Sequence, residues 1–250
     1  MKTNLVIATW SGKRRLKLEA MQEYYTDSAL FLKKQIAYLK TTSHQLSQIT
    51  FTIPKNPNEP KEFRDYLQKI PSQINHTPVV ILERENIGLS YGSFSHAFGL
   101  YRDSFDYYIF LEDDYVFIED NFDSTLVEMF KEIDNCGYLC GNVYIGSHYH
   151  THPANFNGIT TNKILSHLWT TCGGKLPFSN CTNYGKAESF GQVAYGIQLV
   201  KLGYKLGDLT SRYEVPFIWG NASITYPGKE KSKRILVPAQ LATMPNIKFL

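Results

Sequence analysis

Asp106-Tyr107-Tyr108-Ile109-Phe110-Leu111-Glu112-Asp113-Asp114 is the stretch whose reading decides the fold. Apolar and aromatic residues run without interruption from Tyr107 to Leu111 and then meet three carboxylates. The run is too short for a core helix and shows no polar alternation, so it reads as a strand buried on both faces, as in a parallel sheet. Three adjacent acids at the end of a buried strand repel one another, and desolvation raises the cost. A bound cation, a basic partner or solvent exposure would each relieve it. Open α/β sheets bind ligands at the carboxyl ends of their strands, where these acids fall. On a continuing extended segment Glu112 and Asp114 share one face and Asp113 points away. Two carboxylates on one face suit a hard divalent ion and leave room for phosphate oxygens. The plainer alternative is an acidic surface turn, since Glu119, Asp120 and Asp123 follow closely.

The 250 residues are enough for one large core, with or without an appended subdomain. An aromatic content of 14%, with 17 Tyr and 15 Phe, argues against global disorder. A net charge of +3 is too small to make nucleic acid the main partner. Cys136, Cys140, Cys172 and Cys181 form no Cys-x-x-Cys pair, which disfavours a zinc ribbon. No apolar run approaches the roughly 20 residues of a membrane span, and no basic-then-apolar leader opens the chain. The expectation is a soluble cytoplasmic protein with free thiols.

Around the acidic strand, strands and helices alternate. Asn4–Trp10 is a first strand, ending in Thr9-Trp10-Ser11-Gly12-Lys13, which lacks P-loop spacing but offers a small polar residue and an aromatic to a nucleobase. Thr26-Asp27-Ser28 offers N-caps for a helix with Ala29, Leu32, Ile36 and Leu39 on one face. Strands are read at Gln48–Ile53 and Val79–Leu82, with a proline-rich loop (54–60) and a short helix around Phe63–Ile70 between them. Asn86-Ile87-Gly88-Leu89-Ser90-Tyr91-Gly92 allows close backbone approach to a ligand, and Ser93–Tyr101 reads as helix. His96 on that helix reads as a packed or surface residue. Asn121 is a plausible N-cap for a helix over Phe122–Ile133, and Tyr138–Ile145 is another strand. This order predicts a parallel, doubly wound α/β sheet. His148, His150 and His152 alternate, which would suit zinc on an extended chain, but Gly146, Ser147 and Pro153 flank them and argue for an irregular pocket-lining loop. Ile159–Leu168 reads as helix, Trp169–Gly185 as a long mobile loop of lid type, and Glu188–Leu202 as a helix with Glu188 in its first turn, where the dipole favours a carboxylate. Gly203 ends that helix and Tyr204-Lys205-Leu206 restarts a strand. The basic run Lys229–Arg234 reads as a solvated face, or as a segment able to close over a diphosphate or to give a peripheral membrane contact.

Taken together, the first strand, the Asn86-x-Gly88 turn, the Glu112-Asp113-Asp114 run and the Glu188 helix resemble a GT-A glycosyltransferase of the inverting family-2 type, over roughly Asn4–Gly207. The resemblance implies a single GT-A (Rossmann-like) domain over 1–250, with a mostly parallel sheet flanked by helices. Residues 1–115 would be the nucleotide-sugar half and 116–250 the acceptor half and tail. It implies transfer of a sugar from a UDP, GDP or dTDP donor to a carbohydrate acceptor hydroxyl, with Mn²⁺ or Mg²⁺. Glu112-Asp113-Asp114 matches the D-x-D motif with Glu at its first position. Asp114 would then ligate the metal, and Glu112 would join it there or touch the ribose. Thr9 and Trp10 match the base-binding end of strand one. Asn56 is the nearest polar residue where an acid often follows strand two, and Asn86 and Gly88 would approach the nucleotide. Glu188 would be the general base taking the acceptor proton; Asp113 is the second candidate. A non-catalytic sugar or nucleotide-binding module and a sugar nucleotidyltransferase are the alternatives. Acceptor choice would lie in Gly146–Gly185 and the tail, where Tyr149, Phe156 and Trp169 could stack on sugar rings or form core.

Overall fold

A computed structural model describes residues 1–12, 29–144, 152–209, 224–225 and 236–238. The Thr26-Asp27-Ser28 caps, His148, Tyr149, His150 and the basic run 229–234 lie outside them.

The described chain is a mixed α/β fold built on one nine-stranded sheet. In chain order the strands are β1 (Thr3–Ala8), β2 (Gln48–Pro54), β3 (Gln73–Ile74), β4 (Thr77–Arg84), β5 (Tyr107–Glu112), β6 (Tyr115–Phe117), β7 (Cys136–Tyr144), β8 (His152–Thr161), β9 (Lys205–Asp208), β10 (Ile224–Thr225) and β11 (Leu236–Pro238). The helices are α1 (Leu30–Thr41), α2 (Lys61–Leu67), α3 (Leu89–Tyr101), α4 (Phe122–Glu132), α5 (Asn162–Thr171) and α6 (Tyr184–Lys201). The sheet order is β10-β9-β7-β8-β5-β1-β2-β4-β3, and β6 pairs separately with β11. β4, β2, β1 and β5 are mutually parallel. β8 runs against both β5 and β7, and β9 then continues parallel to β7. The expected fold class, a mostly parallel sheet flanked by helices, is therefore what the chain adopts, with β8 and the short β3 as the antiparallel exceptions.

Unalternating apolar sequence produces this centre. Every residue of β1 is buried, as are Tyr108–Leu111 of β5, because helices cover both faces of the sheet. Phe94 of α3 stacks on Phe110 at 4.5 Å, and Phe156 of β8 packs against Tyr195 of α6 at 4.4 Å. α4 closes the other face with Phe122, Leu126 and Phe130.

Several boundaries differ from expectation. His152–Thr161 is a strand rather than loop and early helix, and α5 begins only at Asn162, where Thr161 Oγ1 caps the Ile164 N–H at 3.3 Å. Pro153, one of the residues that argued for an irregular loop, lies in register with Val143 of β7, and β8 is hydrogen-bonded on both sides. Ala29 holds the N-cap position of α1 and makes no side-chain cap bond. Asn121 precedes α4 in the left-handed region (φ 56°), where asparagine is tolerated, again without a side-chain cap bond. The 172–183 segment is pinned, not lid-like: the Gly88 N–H donates to Cys181 O at 3.0 Å, and the Leu176 N–H to Ser95 Oγ at 3.1 Å. Phe156 is fully buried and belongs to the core, so it is not a sugar platform.

Candidate functional site

The ends of β1 and β5 lie side by side, with Ala8 opposite Glu112. Glu112, the last residue of β5, is half-buried and held from two directions. Ser90 Oγ, in the first turn of α3, donates to its Oε1 at 2.7 Å, and its own N–H donates to Asn157 Oδ1 of β8 at 2.5 Å. The Tyr91 phenol is pushed far above its ordinary range by burial and then by Glu112, so it stays protonated beside the carboxylate.

The extended geometry stops at Glu112. Asp113 and Asp114 form a turn into β6, so strand alternation does not fix their directions as the sequence pattern predicted. Asp113 is 2% exposed, and its Oδ2 accepts the Trp10 N–H at 2.9 Å, while its own N–H donates to Ala8 O at 3.1 Å. This carboxylate ties the exit of β1 to the exit of β5. Gln35 of α1, also buried, donates its amide to the carbonyls of Asp113 (3.2 Å) and Tyr115. Asp114 thus sits in a turn whose flanking carbonyls are both gripped by one side chain. Charge-assisted and amide bonds of this kind restrain the turn before any ligand arrives.

On the β1 side, Thr9 is 2% exposed and its Oγ1 has no hydrogen-bond partner among the described residues. Trp10 is half-buried, and its indole folds over Gly12, where a Cβ would lie 2.7 Å from Cζ2. Ser11 is fully buried and accepts a bond from Asn56 Nδ2 at 3.4 Å, while Asn56 Oδ1 accepts the Asn58 N–H at 3.0 Å. The structure therefore gathers Thr9, Trp10, Ser11, Asn56, Glu112 and Asp114 around the ends of β1, β2 and β5.

Asn86 and Gly88 fall elsewhere. Asn86 is exposed, and Gly88 (φ +77°) approaches the chain's own backbone: a Cβ there would lie 2.5 Å from the carbonyl carbon of Ser179. The glycine is needed for a left-handed residue against the 176–181 segment rather than for approach to a ligand. The sequence pattern registered a close contact but not its partner. Ser90, Gln35 and Asn157 carried no such signal, because hydrogen bonding across 22, 78 and 45 residues is invisible before the fold is known.

α6 starts at Tyr184, with Asn183 Oδ1 capping the Lys186 N–H at 2.9 Å. Glu188 is its fifth residue, beyond the first turn expected for it, so the dipole explanation weakens. It lies one turn before Gly191 and two before Tyr195 on the same helix stripe. Tyr91 packs onto Gly191, and Tyr195 is buried against Tyr91 and Phe156. Gly191 and Tyr195 therefore mark the stripe of α6 that packs against α3 and the sheet.

Among the described residues no three His, Cys, Asp or Glu side chains form a group able to hold a metal by themselves. Two hard-oxygen carboxylates one residue apart fit a divalent ion that completes its shell with water and phosphate oxygens. Among the described residues no helix is long and apolar enough to cross a membrane.

No family model matches the chain, and no curated protein sequence matches it. Solved structures do resemble it. A cytidylyltransferase from Leptospira borgpetersenii is 14% identical, with 85% of this chain and 77% of that one covered at a TM-score of 0.49. The inositol-1-phosphate CTP transferase from T. maritima is 12% identical, covering 82% and 83% at 0.43. S. aureus TarS 1–349, in complex with UDP, is 9% identical, covering 78% of this chain and 55% of that one at 0.43. Likenesses at this level assign no family and no activity.

Proposed function

We propose that the protein is a metal-dependent glycosyltransferase of GT-A type that moves a sugar from a nucleoside-diphosphate donor to a carbohydrate hydroxyl with inversion. The observation that carries this reading is the restrained pair Glu112 and Asp114 at the carboxyl end of β5, beside the end of the parallel strand β1, where open α/β sheets bind ligands. Asp113 serves as a tie between strand exits, which leaves Glu188 as the base.

In this mechanism Thr9 Oγ1 and the indole of Trp10 meet the nucleobase, with Asn56 beyond Ser11. Asp114 and Glu112 would hold the divalent ion, and Ser90 keeps Glu112 oriented. Bound there, Mn²⁺ or Mg²⁺ would offset the charge that develops on the departing diphosphate. The Glu188 carboxylate takes the proton of the acceptor hydroxyl as that oxygen bonds to the anomeric carbon. The bond from that carbon to the diphosphate oxygen breaks, and the nucleoside diphosphate leaves.

The test is a thermal-shift panel of UDP, GDP and dTDP with Mn²⁺, Mg²⁺ or EDTA, followed by sugar-nucleotide turnover. The reading expects one nucleotide to raise Tm only with metal, by mass action on the folded state. It expects Asp114→Asn and Glu188→Gln to fold normally and lose turnover. A metal-dependent shift with full turnover in Glu188→Gln would remove the assigned base. Release of pyrophosphate from a nucleoside triphosphate and a sugar phosphate would make the protein a nucleotidyltransferase instead.

A further inference from the structure

On the side of α3 away from Glu112, a cavity of about 760 Å³ opens between the end of β4, α3 and the 172–180 segment. Its volume is within the range of small-molecule sites. Its walls include Arg84, His96, Trp169, Lys175 and Asn180.

The charges on these walls do not balance. Arg84 is 6% exposed, and its guanidinium donates to Ser93 Oγ (2.9 Å), to the carbonyls of Glu85 and Ile87 (2.7 Å each) and to the carbonyl of Leu89. All four acceptors are neutral. No carboxylate among the described residues pairs with Arg84 or with Lys175, which reaches the cavity from the opposite wall. The two acids on the wall are engaged: Glu85 pairs with Lys55 at 2.5 Å, and Glu83 with Arg64. A buried guanidinium without a counter-charge is costly, and an anion entering the cavity would offset that cost. Neutral donors are also on hand. The Trp169 indole, lying across Gly99, has no acceptor for its N–H among the described residues. His96, half-buried, is kept uncharged by burial and by Arg84, so it adds a donor or acceptor rather than a further cation.

We infer that this cavity binds the phosphate group of a small phosphorylated molecule, at a site separate from the acidic turn. A tetrahedral phosphate meets Lys175 directly and the field of Arg84 from below. Trp169 and Asn180 border the room left for the rest of the molecule. The sequence quoted both walls, in the Asn86–Gly92 turn and the Trp169–Gly185 segment, without showing that they face each other.

Isothermal titration of the full chain with glucose 6-phosphate, glucose and inorganic phosphate tests this. Saturable binding of glucose 6-phosphate is expected, with weaker binding of phosphate and none of glucose. Lys175→Ala, a half-buried position outside the core, should weaken it about tenfold, as loss of one charge-assisted bond does. Asp114→Asn should leave it unchanged. Absence of saturable binding to the folded protein, equal binding of glucose, or full affinity in Lys175→Ala would each overturn the proposal. Loss of binding in Asp114→Asn alone would move the ligand to the acidic turn and overturn it equally, without touching the transferase reading.

Discussion

Gly191→Ala is a substitution whose sign is set by one contact. Gly191 lies in the interior of α6, where alanine is intrinsically favoured by about 1 kcal/mol. Judged as a helix position, the change should stabilise. The fold predicts the reverse. A Cβ at 191 would lie 2.5 Å from Cζ and 2.8 Å from Cδ2 of Tyr91. That ring is 3% exposed and lodged between Phe156 (5.3 Å) and Tyr195 (6.2 Å), so it cannot swing aside. Overpacking of this kind costs about 1–3 kcal/mol, and contacts so short belong at the upper end. The net expectation is a loss of about 2 kcal/mol, or roughly 4–8 °C in Tm for a chain of this size. A double-mutant cycle isolates the cause. Tyr91→Leu removes the ring that collides, so Gly191→Ala should be neutral or stabilising by up to about 1 kcal/mol in that background. Chemical denaturation of the four proteins gives the coupling energy. Additive single effects, or a stabilising Gly191→Ala in the parent chain, would refute the Tyr91–Gly191 contact and with it the packing of α6 against α3. If α6 is displaced as well as destabilised, turnover should fall further than stability does.

Three further outcomes follow from the same geometry. Ser90→Ala removes the hydroxyl that orients Glu112 and should raise the half-saturating Mn²⁺ concentration about tenfold with little change in Tm; Ser90→Thr should recover it, and an unchanged metal response would detach Ser90 from the site. Burial lowers the pKa of both His44 and His96 below the ordinary 6.5. Below 6.5 the unfolded chain therefore binds more protons than the folded one, so their contribution is complete above 6.5 and is lost as pH falls through the folded values. Tm should drop between about pH 7.5 and about pH 5, and the drop should shrink in His96→Asn; a pH-independent Tm difference would contradict it. Cys136 and Cys140 are buried, with the Cys136 thiol pushed up to about 12, whereas Cys172 and Cys181 are half-buried. A thiol reagent should therefore modify the latter pair in the native protein and all four only after unfolding, as mass spectrometry would show.

Much of this was legible from residue order. An unalternating apolar run can be satisfied only by burial on both faces, so Leu5–Ile7 and Tyr108–Leu111 announce central strands of a helix-covered sheet. Helical spacing found α1, α4 and α6, and glycine punctuation found the end of α6 at Gly203 (φ +83°). β8 escaped notice because its two hydrogen-bonded neighbours, β5 and β7, supply what its own residues do not advertise. Tertiary pairing overrides weak local preference in such a strand.

The sequence by itself determined the fold class and the position of the three acids at a strand's carboxyl end, since both follow from local pattern and from the chain's need to bury apolar surface. The tertiary structure alone decided how each acid is held. Asp113 turns inward because Trp10, 103 residues away, offers it an N–H. Glu112 is held because α3 brings Ser90 within 2.7 Å. Asp114 stands in a turn because Gln35 grips the carbonyls on either side. Three adjacent carboxylates look alike along a chain; they become different only when hydrogen-bond partners distant in sequence are brought against them, and the sheet's strand order brings them there.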